Sequence, residues 1–191
     1  MADSSTVFDL GVCSLRPWRD GDQPALLRHA NDWDVARWLR DRFPHPYTAD
    51  DADEWVEYAG TVLKREVFAI EVAGEAVGSV GLMPGQDVFR LSAEVGYWLG
   101  RTAWGRGIAP LALQALSRYA EEDLGFIRLF AGVFAGNQRS ARVLAKSGYH
   151  LEGVRRNAVV KNGQVLDEEV WVRLSATPGP KSSWGDPSKK A

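Results

Sequence analysis

Residues 91–109, LSAEVGYWLGRTAWGRGIA, constrain the fold of this chain more than any other stretch. Leu91, Ala93, Val95, Tyr97 and Leu99 alternate with Ser92, Glu94, Gly96 and Trp98, the period of two expected of a strand with unlike faces. A glycine-bearing turn, Trp104-Gly105-Arg106-Gly107-Ile108-Ala109, leads into a helical repeat at Ile108, Leu111, Ala112, Ala115, Leu116 and Tyr119. Pro110 suits the first helical turn, where its missing N–H is not needed. Strand, glycine turn and helix together form an anion cradle: first-turn N–H groups lack partners, and the helix dipole adds roughly half a positive charge there. Gly105 and Gly107 permit close approach to the backbone, and Arg106 offers a countercharge. An ordinary strand-to-helix connection uses the same residues, so the turn alone leaves both readings open. The spacing fails a P-loop, and GRGIAP lacks the third glycine of GxGxxG, which disfavours a dinucleotide site.

A length of 191 residues suits one domain with a sizeable core. A formal net charge of −2 carries no nucleic-acid footprint. The lone Cys13 excludes an internal disulfide and reads as a buried structural thiol, and no Cys/His cluster has zinc spacing, so no metal is expected. No apolar run approaches the ~20 residues of a membrane span, and MADSSTVFD lacks a signal peptide's regions, so a soluble cytoplasmic protein is expected. The eight tryptophans read mostly as packing residues.

In chain order, residues 12–16 read as a strand, 24–30 and 34–39 as helices, and 41–48 as a proline-punctuated loop. Thr48 with Asp51 has the form of a capping box before an amphipathic helix carrying Ala52, Trp55, Val56, Ala59, Val62 and Leu63 on one side. Residues 67–72 and 76–82 read as a hairpin around Ala73-Gly74-Glu75, and 83–86 as a turn. Beyond the central helix come a strand at 127–134, a helix at 138–147 between Asn137 and Gly148, and a hairpin whose strands, 149–160 and 164–174, flank Asn162-Gly163. The division expected is an N-terminal extension at 1–10, a single domain at 11–174 and a flexible Pro/Ser/Gly/Lys-rich tail at 175–191.

EVGYWL followed by WGRGIA resembles the acetyl-CoA-binding core of the GNAT superfamily of N-acetyltransferases, and within it the branch of RimJ/RimL-type ribosomal-protein N-terminal acetyltransferases. The superfamily pattern, Gln/Arg-x-x-Gly-x-Gly/Ala, falls on Trp104, Gly107 and Ala109, with Trp104 replacing the usual Gln or Arg. The resemblance covers about residues 12–174. It implies an α/β (α+β) GNAT fold: a mixed, mostly antiparallel sheet of about seven strands with helices on both faces. The fourth and fifth strands, carrying Glu94 and residues 127–134, would splay apart to admit the thioester arm. Trp104, Gly105, Arg106, Gly107, Ile108 and Ala109 would hold acetyl-CoA phosphates, and the backbone of Tyr97, Trp98 and Leu99 would pair with the pantetheine like an added strand.

Acetylation of an amine needs a base, because amines are mostly protonated at neutral pH. Glu94, mid-strand beside Gly96 and Trp98, is the candidate, with a solvated strand residue as the plain alternative. The superfamily's usual proton-donating tyrosine would fall at Leu144 and is absent. Asn137-Gln138-Arg139-Ser140 matches the branch's N-x-x-S, so the resemblance gives Asn137 to the pantetheine or acetyl region and Ser140 to the sulfur as contact or proton donor. Arg106, Arg139 and Arg142 are the cations nearest the presumed phosphates. Trp38, Phe43 and Tyr47 are expected to line the acceptor side, with His45 and Asp167 as further possibilities. The acidic cluster Asp50, Asp51, Asp53 and Glu54 is explained by the helix dipole. The activity implied is acetyl transfer to a primary amine, a protein N-terminus or a small molecule, with no nucleic acid or membrane partner, by a monomer or homodimer. A non-catalytic acyl-CoA sensor on the same fold, or use of a longer acyl-CoA, are the rivals.

Overall fold

The computed structural model describes residues 8–63 and 65–176. Residues 1–7 of the expected extension and 177–191 of the expected tail lie outside the described residues. The strands are β1 (Phe8–Asp9), β2 (Ser14–Arg16), β3 (Val67–Val72), β4 (Glu75–Pro84), β5 (Ser92–Leu99), β6 (Arg128–Phe134), β7 (His150–Lys161) and β8 (Gln164–Leu174). The helices are α1 (Gln23–His29), α2 (Trp33–Ala36), α3 (Ala49–Thr61), α4 (Ile108–Glu122) and α5 (Gln138–Lys146). One sheet runs β1-β2-β3-β4-β5-β6-β8-β7, antiparallel except for β5 and β6. Among the described residues no helix is long and apolar enough to cross a membrane.

Local chemistry accounts for most of these elements. At the start of α3, Thr48 Oγ1 accepts from the Asp51 N–H while the Asp51 carboxylate accepts from the Thr48 N–H, and these bonds hold the Asp51 carboxyl below its usual range. The Asn162-Gly163 turn has both residues at positive φ, which matches the twist of β7 and β8. Asn137 caps α5 by accepting from the Ser140 N–H, and Gly148 follows that helix at φ +82°.

Where the sequence pattern was thin, the structure differs. An eighth strand appears at Phe8–Asp9, too short to show a period of two; it forms because Phe8 packs edge-on against Phe68 and Tyr119. Met83 and Pro84, expected in a turn, finish β4, where a proline at the last position breaks no interior bond. Helix α2 stops at Ala36 rather than at residue 39, because the chain leaves it to carry Arg40 and Asp41 across the sheet. In α4, Leu113 is buried and Leu111 is 38% exposed, which rotates the apolar stripe from the expected one.

Helices cover both faces. Leu113, Leu116, Tyr119 and Leu144 of α4 and α5 pack with Phe68, Val80, Val95 and Leu129 on one side. On the other, Leu26, Ala52 and Val56 of α1 and α3 pack with Trp18, Tyr47 and Ala69. Cys13 is buried in the first core, where burial and then the Asp9 charge push its thiol up. The buried Arg16 guanidinium ties three segments, donating twice to Asp22 (2.7 and 2.8 Å) and once to Glu71 on β3. Arg16→Leu leaves the buried Asp22 carboxylate uncompensated and is expected to cost about 3 kcal/mol or more in urea unfolding.

Candidate active site

Strands β5 and β6 pair over only three positions, Ser92↔Arg128, Ala93↔Leu129 and Glu94↔Phe130. Beyond Glu94, β5 stays paired with β4 through Leu99, and β6 pairs with β8 through Phe134, so the two strands part and leave facing edges unpaired. This is the expected gap, and it falls between the fifth and sixth strands only because β1 adds one to the count. Gly107 caps α4 at φ +75° in the left-handed region, and a Cβ there would meet nothing within 4 Å. Gly105, Arg106 and Gly107 are exposed, while Ile108 is buried and Ala109 half-buried. Helix geometry leaves the Ile108 and Ala109 N–H groups without intrahelical partners.

Four side chains finish this face. Trp104 folds back so that its indole N–H donates to the Leu99 carbonyl at 2.6 Å, and the Arg139 guanidinium lies 4.6 Å over its ring. Trp104 takes one of the two acceptor positions of the Leu99 carbonyl. The register with β4 leaves the backbone groups of Tyr97 and Leu99 facing the gap and turns those of Trp98 toward β4, which corrects the expectation that Trp98 pairs with a pantetheine arm. The Tyr97 hydroxyl lies 2.8 Å from Ser140 Oγ and 3.1 Å from the Ser140 carbonyl. Burial holds that phenol protonated well above the ordinary tyrosine range. Sequence reasoning used only the backbone of Tyr97 and missed that its phenol reaches α5, where Leu144 is fully buried in the core. A tyrosine absent from α5 is thus present beside it, on the neighbouring strand.

The opposite face carries Glu94, Gly96 and Trp98 of β5. Glu94 makes an ion pair with Arg40 and keeps a fifth of its side chain exposed, so it lies in a charged recess rather than against bare indole. That recess, about 30 Å³, is lined by Arg40, Glu94, Phe130, Gly132, Glu168 and Val170, with Arg155 at its side. A wider cleft of about 290 Å³ continues from it past Phe134 to Ala158–Lys161. Lys161, buried, donates to Asp41 at 2.7 Å, so the α2–α3 loop is fastened to both β5 and the β7–β8 turn by neighbouring residues. Arg40, Gly132 and Glu168 were not foreseen; alternation along β8 would have placed Glu168 on this face, but only the register with β6 shows what it faces.

Of the three expected acceptor residues, Phe43 and Tyr47 meet each other, and among the described residues no ring contact joins Trp38 to them. Tyr47 belongs to the second core, 6% exposed, with its hydroxyl on the Asp51 carbonyl; this corrects its assignment as a lining residue. Phe43 lies between Tyr47 and Trp98, at ring distances of 5.3 and 5.5 Å. Trp38 lies against Gly136, in the turn that follows β6. His45 stacks near Trp33 at 5.4 Å. Asp167 instead pins a bulge in β7, accepting from the Asn157 N–H and from Arg156, which lower its carboxyl below the usual range.

Comparison with known proteins agrees with this geometry. The family described as acetyltransferase (GNAT) domain matches residues 13–150. The chain belongs to the GNAT acetyltransferase family. An uncharacterized N-acetyltransferase, p20, of Bacillus licheniformis is 33% identical over 158 residues, 81% of this chain and 88% of that protein. The ribosomal-protein-serine acetyltransferase of Escherichia coli is 31% identical over 143 residues, 72% and 79% of the two chains. Two Bacillus subtilis relatives, probable N-acetyltransferase YjcK among them, are matched over only about half of their length (46% and 54%). In fold, an acetyltransferase of Bacillus anthracis superposes with a TM-score of 0.78 at 20% identity, covering 88% of this chain and 98% of that one. The ribosomal-protein acetyltransferase RimL, solved with coenzyme A, gives 0.77 at 21%, with the same coverage.

The residues present suit the family's co-substrate: an open left-handed glycine and a 15-residue helix N-terminus for phosphates, and unpaired strand edges for an extended arm. Gly107→Glu puts a carboxylate and a strained φ at the helix mouth. It is expected to abolish acetyl-CoA binding in a calorimetric titration while unfolding changes by only about 1 kcal/mol.

Proposed function

We propose that this protein is an acetyl-CoA-dependent N-acetyltransferase that acts on a primary amine with both substrates bound at once. The observation that carries the reading is the opening between β5 and β6, with an anion cradle on one face and a carboxylate-lined recess on the other. When bound, acetyl-CoA supplies an acetyl group activated as a thioester. The chain's residues supply the rest. Gly105, Arg106, Gly107 and the first turn of α4 bind phosphate, and the backbone edge of β5 at Tyr97 and Leu99, which faces away from β4, orients the arm and offers an N–H to the acetyl oxygen. Asn137 sets the start of α5 and so the position of Ser140.

Glu94 accepts a proton from the incoming ammonium, the freed nitrogen lone pair forms the C–N bond as the C–S bond breaks, and the second proton that the new amide nitrogen sheds makes good the one Ser140 gives to sulfur. Arg40 sits on an exposed loop and can yield its place on Glu94 to the amine. Ser140 Oγ gives a proton to the departing sulfur. Tyr97 can donate to Ser140 Oγ or to the Ser140 carbonyl, one at a time; donation to Oγ leaves the serine proton free to point into the gap. The likeness to the ribosomal-protein-serine acetyltransferase of E. coli and to RimL, a ribosomal α-N-protein acetyltransferase, supports a protein α-amine as the acceptor.

The reading is tested by mass spectrometry of acetyl-CoA with N-terminal peptides, polyamines, amino acids and aminoglycosides. Time-dependent gain of one acetyl group on an amine is expected; binding of acetyl-CoA without transfer to any acceptor favours a sensor instead. Glu94→Gln is expected to lower kcat about a hundred-fold or more with acetyl-CoA affinity retained. An unchanged pH–rate profile in that variant removes Glu94 as the base. Tyr97→Phe is expected to lower kcat about ten-fold, with no further loss on adding it to Ser140→Ala, as a coupled pair requires.

A further inference from the structure

The recess beside Glu94 holds a second carboxylate, and its two oxygens are not equivalent. Glu168 pairs in register with Phe134 of β6, and its side chain leans over Gly132, the one position on that strand without a Cβ in the way. A Cβ on Gly132 would lie 2.2 Å from Glu168 Oε1 and 2.8 Å from Cδ, so the glycine is what admits the carboxylate to the recess. Glu168 Oε2 accepts from Arg155 at 2.9 Å. Oε1 has no hydrogen-bond partner among the described residues, although the side chain is only 11% exposed. Oε1 is not sealed from water but opens onto the recess, so a donor that enters the recess can take the place of water on it. Glu94, by contrast, is already engaged by Arg40.

The size and place of the recess say which donor fits. About 30 Å³ accommodates about one water-sized group. An alkylammonium head, R–NH3⁺, is of that size and brings three donors to two carboxylates. Phe130 forms one wall and is also the last β6 residue paired with β5, so a group seated here lies where the strands begin to part. The other charged groups around it are Arg40 and Arg155, each about half or more exposed, with Asp41 and Lys161 paired to each other farther along the cleft.

We propose that Glu168 is the ammonium anchor of the acceptor site: its free Oε1 over Gly132 holds a primary amine beside Glu94, and the recess excludes N-substituted amines. The anchor rests on the acetyltransferase reading but differs from it in what each variant does. The alternative is that Glu168 serves only to pair with Arg155. The two are separated by Glu168→Gln and Arg155→Met, which break the same ion pair but leave opposite charges behind.

Steady-state kinetics would use the best primary-amine peptide of the acceptor panel and its N-methyl counterpart, with acetyl-CoA affinity measured by calorimetry. With the anchor in place, Glu168→Gln raises the amine KM about ten-fold or more, holds kcat within about three-fold and leaves acetyl-CoA affinity unchanged. Arg155→Met lowers the amine KM, by removing a competing cation. The N-methyl peptide is at least about ten-fold poorer in kcat/KM than its parent. If both variants raise KM alike, or if Glu168→Gln lowers kcat alone, the anchor is overturned; an N-methyl peptide as good as its parent overturns the size selection with it. Should Glu168→Gln not fold, Glu168→Asp, which withdraws the carboxylate by one methylene, must raise KM in the same direction. A wild-type protein that binds acetyl-CoA but transfers to no primary amine defeats the acetyltransferase reading, and the anchor with it, before any variant is compared.

Discussion

Parallel pairing between β5 and β6 lasts for three residues and then stops, and the site consists of what that leaves unsatisfied. Backbone N–H and C=O groups inside a protein must find partners. Here some are served by side chains, as when Trp104 takes the Leu99 carbonyl, and the rest of the edge is available to an extended ligand. The strands can part without loss of the sheet because each is held on its far side, β5 by β4 and β6 by β8. Helices α4 and α5 then fill one face beneath the gap, bringing Ser140 to Tyr97, while α1 and α3 anchor the other.

The face that carries Glu94 is built of charges held in exchangeable pairs. Glu94 with Arg40, Glu168 with Arg155 and Asp41 with Lys161 each join a residue of low exposure to one that is half-exposed or more. Exposed members of such pairs contribute little to stability and are easily displaced, whereas the withdrawn carboxylates require a cation of some kind. A recess so lined is electrically balanced when empty and can trade an arginine for an ammonium. Two of the pairs involve successive residues of the α2–α3 loop, which makes that loop the roof of the site.

Much of this was legible in the sequence because its causes are local. The Thr48–Asp51 capping box, the Asn162-Gly163 turn, the cap at Asn137 and the alternation along β5 each depend on residues within a few positions of one another. The glycine turn before α4 belongs to the same class, and it carried the family resemblance that the match over residues 13–150 bears out. The elements misplaced were those set by distant contacts: β1 by Phe68 and Tyr119, the end of α2 by Glu94 and Lys161, and the rotation of α4 by the sheet beneath it.

The sequence by itself therefore determined the order of elements after β1, the glycine turn that opens α4 at Gly107, and the places of Glu94 on β5 and Ser140 on α5, since backbone conformation and side-chain alternation follow from near neighbours. Tertiary structure alone decided that Tyr97 meets Ser140 43 residues away, that Tyr47 is core rather than site, and that Glu168 reaches the recess over Gly132. Those outcomes depend on the register between strands far apart in the chain and on the room left where a Cβ is missing, and neither is set by any short stretch of residues.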